Sequence, residues 1–365
     1  TLMRSSAASD VYKRQLCIFL GLTFPHVPYR VEEPYFSAID RAKLPPRIRL
    51  EECSGKSKAI EMIHHYVGMD GYTEADWDEL RAVYLGMCSK IDSQFGRLVQ
   101  ALKETGMYED SAIFFFSDHG DFAGDYGLPE KAQNTFEDCL TRVPLLIKPP
   151  KDLPLDPGVT DSLAELVDFY ATAMEFAGVE PSHTHFGRSL SPVLADRNNA
   201  VRAFACCEGG RMPGETHCDE YHRHGGKGAP PTIVYWPKMR TQADDEGHEK
   251  GIMLRTKRFK YVCRPAGQDE LYDMQSDPGE RVNIIDDPAH TALVADLRCK
   301  MLKWLESTDD IVPYAADSRF TPEMLWARVR SLVPPEKAAE VRQMIADGIP
   351  FPVLMEHCRA MHGDQ

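Results

Sequence analysis

Apolar positions recur at steps of three and four over one long stretch: Trp77, Leu80, Tyr84, Met87, Ile91, Phe95, Leu98 and Leu102. That spacing draws one continuous stripe and predicts a helix over 73–105. Thr73 can cap it, Glu74 and Asp76 complement the dipole in the first turn, and Gly106 stops it. Gly86 and Gly96 each cost about 1 kcal/mol inside a helix, so close packing against a neighbour is expected at both. Unbroken apolar runs at 16–22 and 112–116 are too short for helices and read as buried strands, with a further strand at 143–147. Asp161 is expected to cap a second helix with the stripe Leu163, Leu166, Val167, Tyr170, Met174 and Ala177, closed by Gly178. One helix returning the chain to a strand is a step of a doubly wound α/β sheet.

The polar stretch 31–71, with Pro34, Pro45 and Pro46, reads as a long loop followed by a short helix near 57–66. The four prolines of 148–158 mark a surface connection. Beyond residue 200 the texture changes to short strands at 201–206, 251–256, 258–263 and 270–273, with a hairpin at Thr256-Lys257. One helix is expected at 288–305 and two short amphipathic helices from Thr321 onward.

At 365 residues the chain can form one large domain or two smaller ones. A formal charge of −14 excludes a general nucleic-acid binder, since phosphate contacts need a basic face. No apolar run approaches the ~20 residues of a membrane span. Ten cysteines, among them Cys206-Cys207, show no regular metal-type pairing, so reduced thiols in a cytoplasmic protein are expected. Residues 6–15 resemble translated adaptor sequence, and 1–15 are expected to be a non-native leader ahead of which the natural chain continued.

Candidate chemistry gathers where the strand at 112–116 ends in Ser117-Asp118-His119-Gly120-Asp121. Open α/β sheets place ligands at such strand ends, and Asp oxygen and His nitrogen can both hold a divalent cation. Lys131, Phe136-Glu137 and Arg142 follow. A metal-ligand pair with a nearby ammonium suits a tetrahedral anion. Upstream, prolines on both sides of His26 hold its backbone extended and fix the angle of the imidazole. Between the later strands, Cys207, Cys218 and two histidines could be drawn as zinc ligands, although no Cys-x-x-Cys frame supports this. The other readings of that segment are a plain loop, or a recognition loop with Arg211 and His217 facing an anionic sugar.

The ordered series Ser117-Asp118-His119-Gly120-Asp121, Gly124-Asp125-Tyr126-Gly127-Leu128, Lys131, Phe136-Glu137 and Arg142-Val143-Pro144 resembles the second half of a sulfatase, within the alkaline-phosphatase-like superfamily. Tyr126 stands where many relatives carry His. Gly187-Arg188-Ser189-Leu190, Leu271-Tyr272-Asp273, Asp277-Pro278-Gly279-Glu280 and Asn283 continue the resemblance. It implies an α/β sandwich with a mixed, mostly parallel central sheet and a smaller C-terminal antiparallel sheet carrying a packed helix. The expected divisions are a catalytic domain at 16–200, a C-terminal subdomain at 201–311 and a helical tail at 312–365.

The same resemblance implies hydrolysis of sulfate esters, the substrate being a sulfated small molecule or glycan. Asp118 and His119 would help to hold calcium, Lys131 would bridge a sulfate oxygen to the leaving oxygen, and His26 would donate to the departing alcohol. Sulfatases attack with a formylglycine made in a Cys/Ser-x-Pro/Ala-x-Arg segment, and no cysteine here has that context. Cys263-Arg264-Pro265-Ala266 lacks the spacing and Cys139-Leu140-Thr141-Arg142 lacks the Pro. The chain is therefore expected to be a fragment with half an active site, weak calcium binding and no turnover. The alternatives are a phosphonate or phosphodiester hydrolase of the same superfamily, or a non-catalytic glycan-binding relative.

Overall fold

The computed structural model describes residues 5–10, 15–216, 235–309 and 321–363. Strands β1 (Ser5–Asp10) and β2 (Gln15–Leu20) pair antiparallel, so residues expected to be a leader take part in a ladder. The expected buried strand at 16–22 exists but is not buried: Ile18 and Phe19 are 59% and 64% exposed. Among the described residues β1 is the sole strand partner of β2.

Helix α1 (Lys58–Val67) starts at Ser57, whose hydroxyl accepts from the Ile60 amide. Helix α2 (Glu74–Glu104) carries the long stripe, and Thr73 and Asp76 close a full capping box at its start. Trp77, Met87 and Ile91 are buried. At Gly86 an added Cβ would stand 2.6 Å from the Tyr35 carbonyl oxygen, the close packing expected there. Gly96 has nothing within 4 Å, so the same expectation fails at that position.

Strand β3 (Ile113–Phe116) lies between helices on its two faces, because alternate side chains point opposite ways. Phe115 meets Phe95 of α2 at 4.8 Å between ring centroids. Phe114 and Phe116 turn the other way, to Phe169, at 5.0 and 4.9 Å. β4 (Leu145–Lys148) pairs with β3 antiparallel, Ile113 opposite Lys148. Phe169 belongs to α3 (Asp168–Ala177), which starts seven residues after the expected Asp161 cap. The fully buried Asp168 carboxylate accepts from the Glu165 and Arg188 amides and pairs with Arg202. Those tertiary ties hold 161–167 out of helix and leave Val167 51% exposed.

The α/β layering expected from the sequence is present, but among the described residues no ladder between strands is parallel. A parallel return needs a crossover of a dozen or more residues, usually a helix. The 117–144 connection instead forms the loops of the site, and the chain comes back antiparallel. The C-terminal sheet is antiparallel as expected, its first strand displaced from 201–206: β5 (Ala205–Gly209), then after α4 (Trp236–Gln242), β6 (Gly251–Arg255), β7 (Phe259–Cys263) and β8 (Glu270–Asp273), in the order β5-β6-β7-β8. The hairpin falls at Thr256-Lys257, and α5 (Thr291–Thr308) buries Val294, Leu297 and Met301.

Contacts separate two bodies, Thr1–Ala177 with Gly187–Trp304, and Gly178–Phe186 with Leu305–Gln365. In the second, the tail forms three helices where two were expected: α6 (Pro322–Val329), α7 (Ala338–Ala346) and α8 (Phe351–Gly363). They close on Leu325, Val329, Val341, Ile345, Leu354 and Cys358.

Candidate active site

At the end of β3 the chain makes a tight approach to the turn before β4. Gly120 N–H donates to the Leu140 carbonyl at 2.8 Å, and a Cβ at Gly120 would lie 1.9 Å from the Cys139 carbonyl oxygen. Only glycine fits there. This contact fixes Asp118 and His119 at the strand end. The His119 amide donates to Asp118 Oδ1 at 3.0 Å, and His119 Nδ1 meets the Gly120 carbonyl at 2.8 Å.

Tyr29 ties three segments together. Its hydroxyl donates to both oxygens of Asp121, at 2.8 and 3.1 Å, and accepts from the Glu130 amide at 2.6 Å. The proline-braced segment, the strand-end corner and the lysine loop thus share one phenol. Burial, with the Asp121 charge added, pushes the Tyr29 hydroxyl far above its ordinary value, so it stays a donor. Burial also pushes the Asp121 carboxyl up, against hydrogen bonds from Ala123 and Tyr29 that pull it down.

Lys131 Nζ lies 2.7 Å from His26 Nε2, across 105 residues of chain. His26 Nδ1 meets the Val27 carbonyl at 2.8 Å, so the tautomer protonated there leaves Nε2 to accept from the ammonium. Glu130 completes the cluster. Its Oε1 is 2.6 Å from Lys131 Nζ, 3.0 Å from Lys238 Nζ and 3.9 Å from His26 Nε2. Burial alone would raise the Glu130 carboxyl, but the two ammonium groups outweigh it and hold the group below its usual range. A cavity of about 200 Å³ opens onto Glu130, Lys131 and Lys238, walled by Val27, Ile63, Val67, Pro129 and Pro237.

The loop around Lys131 is bent tightly. Ala123, Tyr126, Glu130 and Asn134 all have positive φ, a conformation that costs energy outside glycine and concentrates at functional sites. Gln133 and Asn134 are held by Gln242 and His248 at 2.5 and 2.6 Å. Helix α4 and the turn after it therefore back this loop. Sequence reasoning assigned no role to Tyr29, Asp121, Glu130 or Lys238. Asp121 closes the Ser117–Asp121 motif and Glu130 adjoins Lys131, but nothing in the sequence links Lys238 to Glu130.

Of the residues expected to bind substrate, Arg211 is 4% exposed, paired with Asp245 and donating to the Gln242 carbonyl at 3.2 Å. A guanidinium held this way is withdrawn from a surface sugar. His217 lies outside the described residues, as do Cys218, His222 and His224 of the zinc alternative. Among the described residues no hydrogen bond or ion pair joins the Asp118–His119 pair to His26–Lys131.

Calcium is the ion the resemblance implies. Asp118 Oδ2 and His119 Nε2 are 3.9 Å apart, and Asp118 is 86% exposed. Calcium takes six to eight oxygens, and among the described residues no three candidate ligands converge. These two donors do not by themselves make a calcium site.

An α/β frame and a small antiparallel sheet with a packed helix are the features of an alkaline-phosphatase-like fold. Residues 18–179 match the family described as Sulfatase. It is 26% identical over 307 residues to the multifunctional alkaline phosphatase superfamily protein PehA of Trinickia caryophylli, covering 80% of this chain and 56% of that protein. It is 28% identical over 297 residues to arylsulfatase K of Xenopus laevis, covering 76% and 49%. Among solved structures it resembles the phosphonate monoester hydrolase SpPMH of Silicibacter pomeroyi, with TM-score 0.61 and 27% identity over 78% of this chain and 54% of that one. The chain spans about half the length of these relatives.

Proposed function

We propose that this chain supplies the ester-gripping half of a metal-dependent sulfate-ester hydrolase, with a sulfated small molecule or glycan as substrate. The observation that carries this reading is the 2.7 Å contact between Lys131 and His26 beside the partly apolar cavity. An incoming sulfate monoester would replace the direct Lys131–His26 contact, one oxygen meeting both ammonium and imidazole, with its organic part against the apolar wall. Lys131 then offers a point charge to a sulfate oxygen and to the leaving oxygen, where negative charge grows during cleavage. His26, once protonated at Nε2, donates to the departing alcohol. Asp118 and His119 are assigned as two ligands of a weakly held calcium. With no Cys/Ser-x-Pro/Ala-x-Arg segment to form the nucleophile, the chain alone should bind an ester without turning it over.

The test is a titration with 4-nitrophenyl sulfate, followed through the His26 ring resonances and the release of nitrophenol. Saturable shifts lost in Lys131→Ala, with no nitrophenol, are expected. Absence of shifts overturns the binding role, and calcium-dependent release of nitrophenol overturns the half-site reading. The likeness to SpPMH supports a second reading, a phosphonate monoester hydrolase, which predicts tighter binding of phenyl methylphosphonate than of the sulfate.

A further inference from the structure

Resting on the ester-binding reading, we propose that Glu130 sets the charge selectivity of the cavity: it cancels one of two lysines and tunes the site to esters bearing a single negative charge. Lys131 and Lys238 both point at the same oxygen of Glu130, at 2.6 and 3.0 Å. The side chains of Glu130 and Lys238 are only 10% and 11% exposed, so their charges are poorly screened. Two ammonium groups less one carboxylate leave one positive charge facing the cavity. That matches a sulfate monoester, a phosphodiester or a phosphonate monoester, all monoanions at neutral pH. A phosphate monoester brings two charges, and the second meets the Glu130 carboxylate. Glu130 is held for this task by more than its ion pairs, since its amide is pinned by Tyr29 and its backbone sits at φ 66°. Lys238 arrives from a separate element, α4, so the pairing is built by the fold and not by neighbours in sequence. Glu130 and Lys238 thus act as positioning and selectivity residues, whereas Lys131 touches the ester.

The measurement is the ratio of dissociation constants for 4-nitrophenyl sulfate and 4-nitrophenyl phosphate, which share one shape and differ by one charge, determined by calorimetry on the full chain at neutral pH. Glu130→Gln keeps the side-chain shape and removes the charge, and should shift the ratio toward the phosphate by about tenfold or more. Lys238→Met should shift it the other way. Lys131→Ala should weaken both ligands. If the ratio is unmoved in Glu130→Gln and Lys238→Met while Lys131→Ala still loses both esters, the charge-setting role is overturned and the ester site stands. If the unaltered chain binds neither ester, both fall together.

Discussion

Gly120 shows how much of the site hangs on one missing side chain. Its backbone lies so close to Cys139 that Gly120→Ala must push the strand-end corner away from the turn before β4. We expect a loss of about 1–3 kcal/mol from this overpacking, read by denaturant unfolding. Displaced Asp118 and His119 resonances should accompany it, whereas unchanged stability and spectra would contradict the close approach. At this scale the sequence singles out residue types suited to ester and metal chemistry. Asp118, His119, Lys131 and the proline-flanked His26 could all be picked out, and His26 and Lys131 do meet. Tyr29 and Lys238 could not, because an ordinary tyrosine and an ordinary lysine become part of a site only through partners 92 and 108 residues away, at Asp121 and Glu130. Arg211 misled for the complementary reason. A charge on a polar stretch reads as exposed, and only the fold reveals Asp245 waiting for it.

Among elements, the C-terminal sheet is locked to the site loops by buried charge. Lys56 Nζ lies 2.8 Å from Glu137, and Lys260 reaches Glu280 and Asp138 at 2.6 Å each and the Phe136 carbonyl at 2.7 Å. Burial would raise Glu137, but the Lys56 and Lys260 charges outweigh it and hold the carboxyl below its usual range. Burial would likewise lower Lys56, but Glu137 together with Tyr126, Glu270 and Glu280 outweighs it, so Lys56 is raised. The depressed acid contributes stability that is present above its unfolded pKa of about 4.3 and lost as pH falls through the folded value. The raised base contributes stability that is present below about 10.4 and lost as pH rises through its own folded value. Thermal unfolding should therefore be most resistant between those limits. Glu137→Gln should cost about 3–5 kcal/mol by stranding a buried ammonium and should flatten the acid limb of the profile. An unchanged acid limb would show that the pair does not carry it. Periodic elements such as α2 and the β6–β7 hairpin were legible because each is decided by its own residues. The start of α3 was not, since Asp168 is claimed by Arg188 and Arg202 instead of by a longer helix.

For the whole molecule, the α/β class and the small antiparallel sheet could be read from pattern and resemblance. The direction of the central strands could not, because both parallel and antiparallel strands can be short apolar runs. The same scale governs the metal. Two donors at one strand end cannot dehydrate and enclose a hard cation, so calcium added to this chain should bind with a dissociation constant weaker than about 0.1 mM. His119 resonances should follow the titration and lose their response in Asp118→Asn. Binding at or below about 1 μM would mean that ligands beyond these two are supplied. On the proposed reading, His26 and Lys131, brought together from distant segments, grip one and the same anion. A double-mutant cycle with His26→Ala, Lys131→Ala and the combined variant, scored by 4-nitrophenyl sulfate affinity, tests it most directly. The two losses should be non-additive, with a coupling of at least about 0.5 kcal/mol; strictly additive losses, or none from either change, would contradict it.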